Sequence, residues 1–110
     1  MKLEIRDRWI EGAGVRIKSE YPVLRASLVG DRVLVIYDWM AFPRKEPARN
    51  LFCYDKSGAF LWRAPDIGFG AVDVYTNIQS EDPLWVGNFA CVNCRINAVT
   101  GEVEEQVFTK

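Results

Sequence analysis

The stretch Val33-Leu-Val-Ile-Tyr37 most constrains the fold, because it is apolar at every position while having the β-branched and aromatic composition of a strand. In extended backbone Val33, Val35 and Tyr37 point one way and Leu34 and Ile36 the other. A strand with two apolar faces must be covered on both, so this segment is expected to be central. It follows residues 23–29 across Gly30-Asp31, a pair suited to the positive φ of a two-residue hairpin turn.

Period-2 signals continue along the chain, and no stretch of a dozen residues carries a helical apolar stripe. Strands are expected near 23–29, 32–38, 50–55 and 59–63, then near 72–78, 84–90, 91–97 and 102–108. In the strand at 72–78, Val72, Val74, Thr76 and Ile78 are expected on one face, with Asp73, Tyr75 and Asn77 on the other. Gly58 and Gly101 give the two groups a period of roughly 43 residues, within the range of repeat architectures. Each group reads as a four-stranded meander with an apolar face that it cannot cover alone. The expected fold is therefore all-β, an antiparallel β-sandwich or distorted barrel built from two consecutive meanders with a short N-terminal extension. It forms a single domain over 1–110, with quasi-repeat halves at about 21–65 and 71–110. Residues 2–18 suit either two further strands or a short helical turn around Ile5, Trp9 and Ile10.

The third and fourth strands of each group, "NLFCYDKSGAFLWRA" and "CVNCRINAVTGEVEEQVFTK", resemble the outer half of a blade in quinoprotein-type β-propellers. The positions that carry this are Asp55, Gly58 and Trp62 in the first copy and Thr100 and Gly101 in the second; Asn97 stands in place of the Asp, and a Glu in place of the Trp. Two blades cannot close a ring of four to eight, so that family's cofactor and catalysis are not carried over. The chain also resembles small bacterial proteins, some of the immunity type paired with toxins.

No histidine occurs, which removes Ser-His and Cys-His nucleophile pairs and any His-ligated metal. Cys91 and Cys94 form a CxxC, but the motif lies in strand-like sequence without the helix N-terminus that activates redox thiols, and Cys53 is the only further cysteine. Ordinary buried or half-buried thiols are expected, with metal or redox work by Cys91 and Cys94 as the minor alternative. Asp55, Asp66 and Asp82 stand beside Gly or Pro and read as turn formers rather than a catalytic pair. "GFGA" at 68–71 precedes a strand, not a helix, and reads as a bend rather than a phosphate loop.

Charge divides as ten Lys/Arg against seven Asp/Glu in residues 1–50, and four against eight in 51–110. Neither half has the basic concentration of a nucleic-acid binder, so no nucleic-acid partner is expected. The N-terminal residues lack the apolar run of a secretory signal, nothing approaches a membrane span, and three cysteines fit a reducing compartment. The expected setting is the cytosol, with no membrane partner and no cofactor.

The candidate site is the Pro-interrupted segment 39–49, expected as an exposed loop, where Trp39 and Phe42 lie next to Arg44, Lys45 and Arg49. Aromatic and Arg anchors on a loop are the composition of a protein-binding hot spot. The expected function is non-enzymatic occlusion of another protein with an acidic surface, an immunity-type inhibitor being one form. The alternative is a small-molecule site or enzyme using carboxylates and aromatic rings in the mouth of the β-structure.

Overall fold

A computed structural model describes residues 1–109. Eleven antiparallel strands among them form three sheets, none closed into a barrel. The N-terminal sheet holds β1 (Glu4–Arg6), β2 (Trp9–Gly12) and β3 (Val15–Lys18). The middle sheet holds β4 (Val23–Val29), β5 (Arg32–Tyr37), β6 (Leu51–Asp55) and β7 (Phe60–Arg63), and the third holds β8 (Tyr75–Glu81), β9 (Leu84–Asn88), β10 (Val92–Ile96) and β11 (Val103–Phe108). Each of the latter two is a meander in chain order. The all-β sandwich of meanders expected from sequence is present. The distorted barrel is not, and the N-terminal extension is a sheet in its own right rather than an appendage or a helical turn.

The central strand explains this layering. Leu34 and Ile36 of β5 join Leu51, Cys53 and Trp62 in a core shared with Tyr75, Val86, Val92, Cys94 and Ile96 of the third sheet. On the other face, Val33, Val35 and Tyr37 join Phe52 and Tyr54 in a core shared with Leu3, Ile10, Val15 and Ile17 of the N-terminal segment. The middle sheet is thus buried on both faces, as its unbroken apolar run requires.

The layers meet through a repeated contact. A Cβ on Gly58, in the β6–β7 turn, would lie 3.6 Å from Ile17 of the N-terminal sheet. Gly101, in the β10–β11 turn, supports the Trp62 ring so closely that a Cβ would lie 2.5 Å from Trp62 Cδ2, and the indole Nε1 donates to Ala98 O at 3.0 Å. The last strand of each of the first two layers therefore docks on the glycine turn of the next. Register identifies the corresponding positions: Ile10 pairs with Ile17, Cys53 with Trp62, and Arg95 with Glu105. In the third layer this place is taken by charge, Arg95 Nε lying 3.3 Å from Glu105 and Nη1 3.3 Å from Glu104.

Both glycine turns use the same side-chain chemistry. Asp55 Oδ1 accepts from the Ser57 hydroxyl at 2.6 Å and from the N–H groups of Ser57 and Ala59. Asn97 Oδ1 accepts from the N–H groups of Val99 and Thr100, so the replacement of Asp by Asn leaves the acceptor in place.

The start of the third sheet departs from the expected 72–78. Gly70–Val72 form a short 3₁₀ turn, β8 begins at Tyr75, and two register shifts along β8 break its alternation. Asp73, Val74 and Tyr75 are buried in succession while Val72 is exposed, so the two-faced alternation expected over 72–78 does not hold at its start.

Gly101→Ala combines a left-handed φ of +82° with collision against the Trp62 ring, so it should lower stability by roughly 2–4 kcal/mol in urea unfolding. Gly30→Ala, at φ +63° in open space, should cost only about 1 kcal/mol. Equal losses would show that the ring contact contributes nothing. For Asp55, the Ser57 hydroxyl, followed by the Ala59 N–H, holds the carboxyl below its ordinary range. A lowered folded-state pKa adds stability above the unfolded value, and that contribution disappears as pH falls through the folded value. The urea midpoint of wild type should therefore fall more than that of Asp55→Asn between pH 6 and pH 3.

Candidate functional site

Several apolar side chains are exposed at one end of the stack, where β5 and β9 end and β8 begins. Trp39, Ala71, Val72, Val74, Thr76 and Phe89 line a recess of about 220 Å³ there. Phe89 is 66% exposed, Val72 47% and Trp39 41%. Phe69 and Phe108 meet edge-to-face at 6.2 Å, both exposed.

Trp39, Val72 and Phe89 are each presented by a turn that a buried or half-buried polar group pins. Asp38 Oδ1 accepts from Met40 N–H at 2.9 Å and caps the 3₁₀ turn Trp39–Ala41. The fully buried Asp73 accepts from the N–H of Ile67 at 2.6 Å and of Phe69 at 3.4 Å, fixing the bend that ends in Val72. Its other oxygen accepts from Asn88 Nδ2 at 3.0 Å, while Asn88 Oδ1 takes the Ala90 N–H and shapes the turn that projects Phe89.

Beneath them, Asn50 joins the two meanders. Its Nδ2 donates to Tyr37 O and to Tyr75 O, and its Oδ1 accepts from Tyr75 N–H, each at 2.9 Å. The side-chain amide thus pairs with Tyr75 as a strand backbone would. A chain joining β6 to β8 could otherwise leave these groups unpaired in the interior, at about 1–3 kcal/mol each.

The structure separates the five residues singled out by sequence. Trp39 lies in the recess, with the Arg44 guanidinium 5.9 Å from its ring, and Arg44 and Lys45 are exposed beside it. Phe42 instead turns inward, 4.8 Å from Tyr21 and 6.4 Å from Phe52, beneath the guanidinium of Arg63. Arg49 is half-buried, donating through Nε to Ala64 O at 3.2 Å. Segment 39–49 is thus an exposed tip on an anchored base, with Ala48 and Asn50 buried. The other lining residues come from segments whose sequence reads only as a bend and as strands, although a Phe directly after a turn-forming Asn (Phe89) is a signal of an apolar side chain carried by a turn.

Cys91 and Cys94 lie in different surroundings. Cys94 and Cys53 lie in the core between the meanders, where burial pushes both thiols up to about 11, whereas Cys91 is exposed on the β9–β10 turn at φ +65°. Among the described residues no three Cys, Asp or Glu side chains gather as a ligand set. Among the described residues no helix is long and apolar enough to cross a membrane.

The architecture and the rim define an all-β protein of stacked open sheets with an apolar recess on capped turns. Residues 2–108 match a family described as a domain of unknown function, DUF7957, and the chain belongs to it. No curated protein and no solved structure matches the chain.

Asn50→Asp should distinguish a positioning amide from a bystander. At neutral pH a carboxylate would face the carbonyls of Tyr37 and Tyr75, costing about 3–5 kcal/mol. That environment raises the folded-state pKa of the new carboxyl, so the deficit should shrink as pH is lowered toward 5 and its proton is retained. A pH-independent deficit would show that the amide's donors do not hold these carbonyls.

Proposed function

We propose that this protein is a non-enzymatic binding protein whose apolar rim seats a side chain of a partner protein. The observation that carries the reading is the exposure of Trp39, Val72 and Phe89 around one recess, each on a turn pinned by an internal hydrogen bond. Exposed apolar groups clustered around a concavity mark interaction sites, and rigid presentation limits the entropy lost on binding. Arg44, whose guanidinium lies 5.9 Å from the Trp39 ring, and the exposed Lys45 next to it in the chain favour an acidic partner surface. Arg49 and Phe42 support this tip from inside rather than touching the partner. Occlusion of the partner, as by an immunity-type inhibitor, fits a site that presents anchors without a nucleophile or base among them. Three free cysteines fit action in a reducing cytosol.

The side chains of the two shared cores fill the space between the layers, while the recess itself opens at the surface. This favours a protein partner over the alternative of a small molecule held deep within the β-structure.

A photo-crosslinking residue at Met40 should capture a partner that Phe89→Asp and Val72→Asp, checked for unchanged melting temperature, lose by tenfold or more, on the order of one anchor's contribution. Arg44→Glu with Lys45→Glu should weaken capture several-fold and remove much of its salt dependence. Undiminished capture by all of these variants would overturn the rim as the site.

A further inference from the structure

We infer that the partner is engaged as an extended acidic segment, which adds alongside β8 and sets an apolar side chain into the rim recess. This rests on the rim reading and extends it. A groove of about 520 Å³ runs between β8 and the wall formed by β4 and the N-terminal residues. Thr76 lines both groove and recess, so the two adjoin at that residue.

The groove has the backbone of a strand-accepting site. β8 is an edge strand of seven residues, about 23 Å of extended chain, with β9 on one side only. The opposite wall already shows strand addition: Leu3 N donates to Ala26 O at 2.9 Å and Leu28 N to Met1 O at 2.7 Å, laying residues 1–3 along the edge of β4. In this mode main-chain hydrogen bonds supply affinity and a pocket for alternate side chains supplies specificity. The recess is placed to be that pocket. The register shifts of β8 limit pairing by a long flat strand and favour a short segment.

Charge selects the occupant. Lys2 and Arg25 line the groove, and Arg25 reaches across it to donate from Nε to Thr76 O at 3.1 Å. Glu81 is the only acid in the lining, and its carboxylate is held by the Met1 amino group at 2.6 Å. The remaining charge is positive, and Thr76, Asn77, Gln79 and Ser80 add polar hydrogen-bonding groups.

The test uses fluorescein-labelled peptides of about ten residues, alternating Asp with Thr and carrying Leu at either end, with Lys-for-Asp versions as controls. At least one acidic peptide should bind the full chain, shift the amide resonances of Thr76–Ser80, and outcompete its Lys version by about tenfold at low salt. Lys2→Gln with Arg25→Gln should weaken it by roughly tenfold, and Trp39→Ala should abolish the contribution of the Leu. Equal binding of acidic and basic peptides, shifts confined to β11, or no binding of either acidic peptide at millimolar concentration overturns the inference. If the partner captured at Met40 is lost by Phe89→Asp but retained by the Lys2/Arg25 variant, the groove reading falls while the rim reading stands.

Discussion

The side-chain amide of Asn50 sets the relation between the two meanders. Tyr37 ends β5 and Tyr75 begins β8, so their backbone groups lie where two sheets converge without sharing a ladder. Asn50 closes that gap with two donors and one acceptor, all internal and all at 2.9 Å. Only a carboxamide offers both polarities in one plane at this reach, which accounts for a fully buried Asn between apolar neighbours. The same junction receives Ala48 N–H on Asp73 O, and Arg63 donates to Ala48 O and Arg49 O. The third sheet is thereby fixed to the middle one at the end where the recess forms.

At the opposite end the layers are joined by ring and side-chain packing on the glycine turns, with the Trp62–Ala98 hydrogen bond beside it. Ile17 beside Gly58 and Trp62 against Gly101 occupy corresponding places, and at Gly101 the missing Cβ is what lets the ring approach, whereas a Cβ on Gly58 would meet Ile17 at ordinary contact distance. The step from Gly58 to Gly101 carries Trp62 onto Glu105, and there the docking side chain becomes a carboxylate paired with Arg95. Burying that pair beneath another sheet would cost the desolvation of both ions. The outer face of the N-terminal sheet is closed in a similar way, by Glu11 paired with Arg16 and by Arg16 lying 3.9 Å over the Trp9 ring. Apolar pairs face the neighbouring layer and ion pairs face outward, so charge placement ends the layering on both sides.

These two junctions differ in how far they could be read from the chain. Val33–Tyr37 announced a strand covered on both faces, and Asp55, Gly58 and Gly30 announced turns, because alternation and positive φ are local properties. The N-terminal sheet was half legible: Val15 and Ile17 alternate with charged residues, but strands of three or four residues carry too little pattern to exclude a helical turn. The alternation expected from Val72 onward is interrupted by a 3₁₀ turn and by two register shifts along β8, where Asp73 accepts from Phe69 N–H and Asn50 from Tyr75 N–H, bonds that a period-2 pattern does not encode. The exposure of Trp39 was legible from the composition of its loop. Phe42 was misplaced because an aromatic residue in a loop reads the same whether it faces solvent or folds back onto Tyr21 and Phe52.

The arrangement of the rim follows from what strand ends can offer. Within a strand, every apolar side chain on a buried face is already occupied by the adjoining layer, so a surface for another molecule must come from turns or edges. Turns are ordinarily polar and mobile, and an apolar residue on one gains nothing toward folding. Asp38, Asp73 and Asn88 resolve that conflict by using their side-chain oxygens for the turn backbone, which leaves Trp39, Val72 and Phe89 free to point outward. Such polar groups stabilise the chain while the apolar ones remain unsatisfied, a division of roles that a folding requirement alone does not explain. β8, an edge strand, begins beside the same turns, so the groove along it and the apolar recess adjoin at Thr76.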